Sequence, residues 1–432
     1  MARTDSRPKP SRMLAPAGNF PGSAELKHAR LLIKQASGEH GRDGDADASG
    51  KYRLMLKAAE RLISQALGLD RVVCFGSGKE ALAALCGQLK ERFGCKHAVV
   101  AAYTCPDVAA AIVRGGLRLR VADVRPDTLD MLLLSPSGSP ELVVLSNLYG
   151  LPDRVDIWND STRFVVDDAC QAILSASGDY SVGARTQFGI VSFGRGKALC
   201  GIGGGGVLVR SENESDHQIL DASSIRGIVR EIQRARQIHS SPFGSLKGRL
   251  LLSLLPTLEK PKWYSKVTSI PGLGLGETNC DLSFSDALLT EPMLSAAVAQ
   301  LCIAQEITRR NLANARRWHE RLEDLDLLEP FMERGCKFDG SVIPTRYPII
   351  LNSPEQRTEL LELMEESGLG ASASYDRALT DFPELRPYID EGDCAAAKEV
   401  ARRIVTLPVH QYVSEDDIES GRAIVRDVLS ES

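Results

Sequence analysis

No CxxC pair occurs among the ten cysteines of this chain, and no stretch reaches the run of about 18 apolar residues expected of a membrane-spanning helix. LLLSLLP near residue 250 is too short to span. The scattered cysteines weigh against a metal site or a disulfide framework; without an export signal they read as reduced thiols of a cytoplasmic protein. A basic excess is missing too: 52 Lys and Arg stand against 57 Asp and Glu, a net charge of -5. With no dominating positive field, nucleic acid is not the expected partner. The N-terminal MARTDSRPKPSRM is basic but lacks the apolar segment of a secretory signal. No internal repeat is visible. What is there is ordinary globular composition, 43% hydrophobic and 25% charged, ample for a large core.

Residues 1–22, rich in Pro, Ser and charge, read as a mobile arm. GEHGRDGDADASGK at 38–51 reads as an exposed loop between two helical patches. A rhythm follows: RVVCF, HAVVAA, LRLRVADV, ELVVLS, RFVVDD, FGIVSF and GGVLVR are short Val/Ile/Leu-rich runs, several of them separated by helical patterns. That alternation predicts an α/β fold with a mostly parallel seven-stranded sheet covered on both faces. Residues 215–290 are mostly helical in pattern, with Pro and Gly punctuation. From 291 a long helical pattern leads into RYPIIL, QRTELLELMEESG and ARRIVTLPVHQYVSEDDIESGRAIVRDVL, a smaller C-terminal α+β unit. The expected division is 1–22 arm, 23–290 large domain, 291–432 small domain.

Three motifs carry chemistry. CFGSGKEAL is a Gly/Ser turn opening a helix, where free backbone N–H groups and the positive helix end favour an anion such as phosphate; a plain helix cap is the alternative. FVVDDACQA runs an apolar strand into Asp167 and Asp168, at the strand end where α/β proteins place their ligands. One aspartate could serve as a helix cap, but two exceed that need. SFGRGKALCGIGGGG puts Lys197 just beyond a strand, where the readings are a surface charge, a phosphate contact or a Schiff-base nucleophile. The glycines precede a strand rather than open a helix, so a dinucleotide fingerprint is a poor reading. Together the motifs supply what a pyridoxal phosphate site needs: an amine for the Schiff base, a carboxylate for the pyridine nitrogen and a helix end for the phosphate.

The combination resembles the DegT/DnrJ/EryC1/StrS family, the sugar aminotransferase branch of the fold-type-I pyridoxal phosphate enzymes. The similarity runs from about residue 70 to the C-terminus, through AYTCPDVAAAIVRGGLRLRVADVRPDTLDM, NLYGLPDRVD, VVDDACQA, SFGRGK and TLPVHQYVSEDDI. The resemblance selects Asp168 as the pyridine partner and Lys197 as the Schiff-base lysine. It places Gln171 near the ring hydroxyl and Ser192 on the phosphate. Gly76, Ser77, Gly78 and Lys79 become the phosphate turn. The usual ring-stacking aromatic position holds Cys105, with Tyr103 as a substitute. It also implies a homodimer with the active site at the interface. The chain departs from the family in having Asn147 where His is frequent, Phe-Gly-Arg-Gly between Ser192 and Lys197, and LGETNCDLSF, with Thr278 or Asn279, in place of Gly-x-Asn-x-Arg.

The activity so implied is transfer of an amino group from L-glutamate or L-glutamine to a keto or aldehyde acceptor, a nucleotide-linked sugar or another natural-product ketone. Lys197 would move a proton between the donor α-carbon and the cofactor. Arg195, Asn147 and Arg346 are candidate substrate contacts, Arg346 through a bidentate grip on a carboxylate. The glycines around Lys197 would leave it room to swing. Rival readings are another pyridoxal phosphate reaction (elimination, decarboxylation, oxidation or C–C bond formation), a regulator without turnover, and a nucleotide-binding α/β protein. His410 reads as structural.

Overall fold

The structure, a computed structural model, describes residues 10–38, 48–158, 160–210, 220–236, 242–267, 279–284 and 286–430. Seven of the apolar runs become strands of one sheet: β1 (Arg71–Phe75), β2 (His97–Ala101), β3 (Arg118–Ala122), β4 (Glu141–Ser146), β5 (Arg163–Asp168) and, after the small hairpin β6 (Ala176–Ser177) and β7 (Tyr180–Ser181), β8 (Phe188–Ser192) and β9 (Gly205–Val209). Later come β10 (Tyr347–Ile350), β11 (Ile389–Glu391) and β12 (Ile404–Leu407). The sheet order is β1-β9-β8-β5-β4-β2-β3-β11, and β9 alone runs against the others.

Alternation along β1 sends Val73 and Phe75 to one face of the sheet and Val72 and Cys74 to the other. The first face is covered by the helices Gly78–Phe93, Pro106–Arg114 and Ala222–Ala235; the second by Ser23–Ser37, Ala48–Ala66 and Glu291–Cys302. The helix Gly78–Phe93 has a defined start and stop. Ser77 caps its N-terminus by accepting the Glu80 N–H at 3.3 Å, and Gly94 closes it in the left-handed conformation. A third core joins the helices Ala304–Leu322, Pro354–Glu366 and Glu415–Ser430 to the antiparallel pair β10 and β12. No helix among the described residues is long and apolar enough to cross a membrane.

Four expectations change. The sheet has an eighth strand: β11 adds to the β3 edge, where Arg118 pairs with Asp390 and Arg120 with Glu391. Three residues flanked by charge give no strand signal in the sequence. The helix Glu291–Cys302, expected in the small domain, buries Leu294, Ala297 and Val298 in the core under the sheet; we propose that the C-terminal unit begins after it. The loop expected at 38–51 lies mostly outside the described residues, but Ala48–Lys51 already belong to the helix Ala48–Ala66.

The fourth change concerns the arm. From residue 10 onward it is docked, not free. Met13, Leu14 and Ala15 are buried. The Leu14 N–H donates to the Gly368 carbonyl at 2.8 Å, and the Arg12 guanidinium donates to the Asp417 carboxylate at 2.8 Å. Two buried titratable groups hold the segment. Glu259 accepts the N–H groups of Asn19 at 3.1 Å and Phe20 at 3.3 Å. His410 donates from Nε2 to the Ala15 carbonyl at 2.7 Å and accepts the Tyr412 N–H at Nδ1, which is the neutral imidazole. Sequence composition showed the polarity of this segment but not the few apolar residues that bury.

These two groups oppose each other in pH dependence. Burial pushes the Glu259 carboxyl from 4.5 up to about 7, against the N–H donors of Phe20 and Asn19. Burial pushes His410 from 6.5 down to about 4. From pH 4.5 to 7 the folded chain keeps a Glu259 proton that the unfolded chain has lost, so this contribution to stability falls as pH rises. From pH 4 to 6.5 the unfolded chain protonates His410 and the folded chain does not, so this contribution grows as pH rises. Glu259→Gln is therefore expected to make the slope of stability against pH more positive between pH 4.5 and 6.5, and His410→Asn more negative, each by about 1 kcal/mol per pH unit. Urea midpoints across that range check it; unchanged slopes in both variants would count against the two ionisation states.

Candidate active site

The C-terminal ends of five strands converge on one cavity of about 280 Å³, the ligand position of open α/β sheets. β1 delivers the Ser77–Gly78 helix start, β2 Thr104 and Cys105, β4 Ser146 and Asn147, β5 Asp168, and β8 Ser192 with the loop to Lys197.

The two adjacent aspartates divide the work by strand alternation. Asp167 is fully buried. It accepts from the Arg185 guanidinium at Nε (2.9 Å), from the Gly183 N–H (2.6 Å) and from Asn147 Nδ2 (2.9 Å). Asp168 faces the cavity and accepts from the Cys170 N–H at 3.0 Å. Burial raises its pKa; the hydrogen bonds from Cys170 and the charge of Lys197 pull it back. A partner that brings positive charge into the cavity would favour the carboxylate further.

Lys197 ends a tight turn. The Ser192 hydroxyl accepts the Gly194 N–H at 3.3 Å, and Gly196 takes a left-handed φ of 75°. Burial works to lower the Lys197 pKa, but the neighbouring Cys105, Cys170 and Asp168 raise it more, so its net direction is upward. The two thiols are themselves pushed up by burial, which leaves the carboxylates Asp168 and Asp107 as the neighbours whose charge counts at neutral pH.

The run of glycines has a different purpose from the one expected. A Cβ on Gly205 would lie 2.3 Å from the backbone nitrogen of Gly78, and one on Gly206 2.9 Å from the Val73 carbonyl oxygen. The Gly204 N–H donates to the Gly76 carbonyl at 2.8 Å. The glycines thus bring β9 against the start of the helix Gly78–Phe93 and fix the turn that opens it, rather than freeing the lysine.

Most of the expected residues meet here: Ser77, Gly78, Lys79, Cys105, Asn147, Asp168, Gln171, Ser192, Arg195 and Lys197 all line the cavity. Arg346 and Asn279 line a second cavity of about 230 Å³ that shares Lys197, Cys105 and Gln171 with the first; Thr278 lies outside the described residues. Gly76 and Tyr103 line neither. Tyr103 is fully buried in the core, its hydroxyl 2.9 Å from that of Tyr149, so its ring does not reach the cavity and Cys105 forms that wall. Asn147 is also corrected. Its amide donates to the Asp168 carbonyl at 2.7 Å as well as to Asp167, while its oxygen accepts the Asp153 N–H at 2.8 Å and the Arg185 guanidinium. It positions the strand end and has no free polar atom for a substrate. The Gln171 amide is held between the Tyr149 N–H at 3.1 Å and the Tyr375 hydroxyl at 2.7 Å.

Two residues escaped sequence reasoning. The hydroxyls of Thr104 and Ser146 are buried and unpartnered among the described residues, and both residues line the cavity. Leaving such groups unpaired costs about 1–3 kcal/mol each, so they fit a polar ligand. The cavity thus offers a capped helix start, a buried carboxylate, a lysine and two uncommitted hydroxyls. This set fits pyridoxal 5′-phosphate. Ser77, Gly78 and Ser192 would take the phosphate, Asp168 the pyridine nitrogen and Lys197 the aldehyde carbon.

Fold and site together define a fold-type-I pyridoxal phosphate enzyme. The model of the DegT/DnrJ/EryC1/StrS aminotransferase family matches residues 48–250 and 287–426. The chain belongs to that family, and its cofactor is pyridoxal 5′-phosphate. Among curated proteins it is similar to the dTDP-4-amino-4,6-dideoxy-D-glucose transaminase of Shigella dysenteriae, 22% identical over 169 residues; the match spans 38% of this chain and 44% of the relative. Among solved structures, a Streptococcus pneumoniae protein named as a sugar aminotransferase, in its PLP form, aligns over 96% of this chain and 99% of its own, with 16% identity and a TM-score of 0.68. The sugar aminotransferase CalS13 of Micromonospora echinospora aligns over 96% and 100%, with 18% identity and a TM-score of 0.66.

The two aspartates give opposite expectations. Asp167→Ala strands the buried Arg185 charge and should cost about 3–5 kcal/mol. Asp168→Asn removes a carboxylate that burial disfavours, so its unfolding midpoint should stay near that of the parent while amino transfer is lost. Denaturation curves and activity on the same samples check this; an Asp168→Asn variant that unfolds as readily as Asp167→Ala would remove the distinction.

Proposed function

We propose that this protein moves an amino group from L-glutamate or L-glutamine to a keto or aldehyde carbon of a nucleotide-linked sugar or a related natural-product ketone. The observation that carries the reading is that Lys197, Asp168 and the Ser77-capped helix start line one cavity at the sheet's strand ends. A sugar acceptor is supported by the names of the similar solved structures, and a nucleotide-linked one by the name of the Shigella dysenteriae relative.

Pyridoxal phosphate, when bound, would supply an aldehyde carbon that condenses with primary amines and a ring that accepts an electron pair. Asp168 would hold a proton on the pyridine nitrogen and so favour uptake of that pair. Lys197, once its nitrogen is free, would take the proton from the donor α-carbon and return one at the former aldehyde carbon, on the other side of the bridging nitrogen. Ser77, Gly78 and Ser192 orient through the phosphate, and Cys105 and Gln171 bound the ring. The same residues act in reverse order when the acceptor enters. A homodimer that completes the site belongs to this reading.

The test is the visible spectrum of the loaded protein. Adding L-glutamate or L-glutamine should bleach the band of the lysine-bound cofactor and shift it to that of the aminated form. Lys197→Ala should keep cofactor by equilibrium dialysis yet complete no multiple turnover. A wild-type band that no amino donor bleaches would move the protein to another pyridoxal phosphate reaction.

A further inference from the structure

Among the described residues nine large apolar side chains are exposed, and five of them fall between residues 246 and 263. Four belong to the helix Pro242–Leu258. Leu246, Leu250 and Leu254 recur at every fourth position, hence on one face, and Leu251 stands beside them. Leu246 is 66% exposed and Leu250 59%. The opposite face is the one the fold uses. Leu252 is buried, a Cβ on Gly248 would lie 2.9 Å from the Pro292 side chain, and Arg249 pairs with Glu291 at 3.1 Å. The helix is thus held on one side and bare on the other. The fifth exposed group, Trp263, lies on the short helix Pro261–Val267, with the Lys266 ammonium 4.8 Å over its ring. Charge around this face has one sign. Residues 242–267 hold Lys247, Arg249, Lys260, Lys262 and Lys266 against a single acid, Glu259, which is buried on the N-terminal arm. All four lysines are exposed, in a chain whose net charge is -5. The family model stops at residue 250 and resumes at 287, so most of this element lies outside what the family shares.

We propose that this face docks on an anionic lipid bilayer, with the leucines at the boundary between headgroups and acyl chains and the lysines on the lipid phosphates. A helix too short to cross a membrane can still lie along its surface when one face is leucine-rich and basic residues stand beside it. Around the helix axis Lys247 falls between Leu250 and Leu251. Its four-carbon stem can lie with the leucines while the ammonium rises to headgroup level. The leucines supply the apolar hold, and each lysine adds attraction to an anionic leaflet. A second copy of this chain fits the face less well. A two-fold contact would set the patch against itself and bring the lysines of one copy up to those of the other. The core of a protein interface is also depleted in lysine, whereas a lipid surface offers negative charge wherever a lysine lands.

Co-sedimentation of the full, cofactor-loaded chain with lipid vesicles tests the face. The protein should pellet with vesicles of equal parts phosphatidylglycerol and phosphatidylcholine, far less with phosphatidylcholine alone, and less as salt is raised. Leu250→Gln combined with Leu254→Gln should weaken binding on the order of tenfold, and so should Lys260→Gln combined with Lys262→Gln. None of these four residues lines either cavity at the strand ends, so the cofactor band, recorded on every sample, should match the parent's and show that folding is kept. Trp158 and Trp318 are fully buried, so a blue shift of tryptophan emission on binding reports Trp263 entering the interface. A chain that stays in the supernatant with the anionic vesicles would overturn the proposal. So would pelleting that ignores the leucine pair, which is adsorption by charge alone, or emission that does not shift while the protein pellets. Sedimentation velocity without lipid covers the other occupant: a leucine variant that breaks a parent dimer into monomers would assign the face to a second copy and overturn the lipid reading.

Discussion

Asp167 is a charge removed from water, and the Arg185 guanidinium is what keeps it there. The pair sits at the end of the central strand β5, tied by Asn147 and the Gly183 N–H to the neighbouring strand and loop. A buried ion pair of this kind adds little net stability over a well-packed apolar pair, but removing one partner is expensive. Its consequence is geometric. Because successive side chains on a strand point to opposite faces, locking Asp167 under the sheet aims Asp168 into the cavity. The cavity chemistry depends on that orientation.

A second constraint meets the first across the cavity. β9 runs against the parallel strands and passes so close to the helix Gly78–Phe93 that a methyl group at Gly205 would collide with the backbone of Gly78. The helix start, with its free N–H groups, is thereby held at a fixed height relative to β8 and the turn bearing Lys197. A reactive lysine must work at hydrogen-bond range of its proton acceptor. The first constraint is made by residues that flank the strands, Asn147 after β4 and Gly183 and Arg185 before β8, and the second by β9 itself; together they give the site its precision.

The parallel strands were legible because each is a short apolar run bounded by turn residues, and the three motifs were legible because glycine, paired aspartates and a strand-end lysine are costly where they have no task. Other features were hidden for identifiable reasons. Thr104 and Ser146 look like any polar residue after a strand; only burial without a partner marks them. Asn147 reads as a substrate contact in the sequence, which cannot show that its amide is saturated by Asp167, Asp168 and Arg185. Tyr103 is the nearest aromatic in the sequence, but the bend after β2 places it in the core against Tyr149. The docking of residues 10–22 rests on buried side chains, Met13, Leu14 and Ala15 among them, and on the distant titratable partners Glu259, His410 and Asp417, whose pairing no local pattern announces.

The central claim is that Lys197 is the cofactor's covalent carrier. Borohydride reduction of the loaded protein, followed by digestion and mass mapping, tests it most directly. The account predicts a pyridoxyl group fixed on the peptide containing Lys197 and on no other lysine. Label on Lys79, which lines the same cavity at the phosphate turn, or spread over surface lysines, would contradict it.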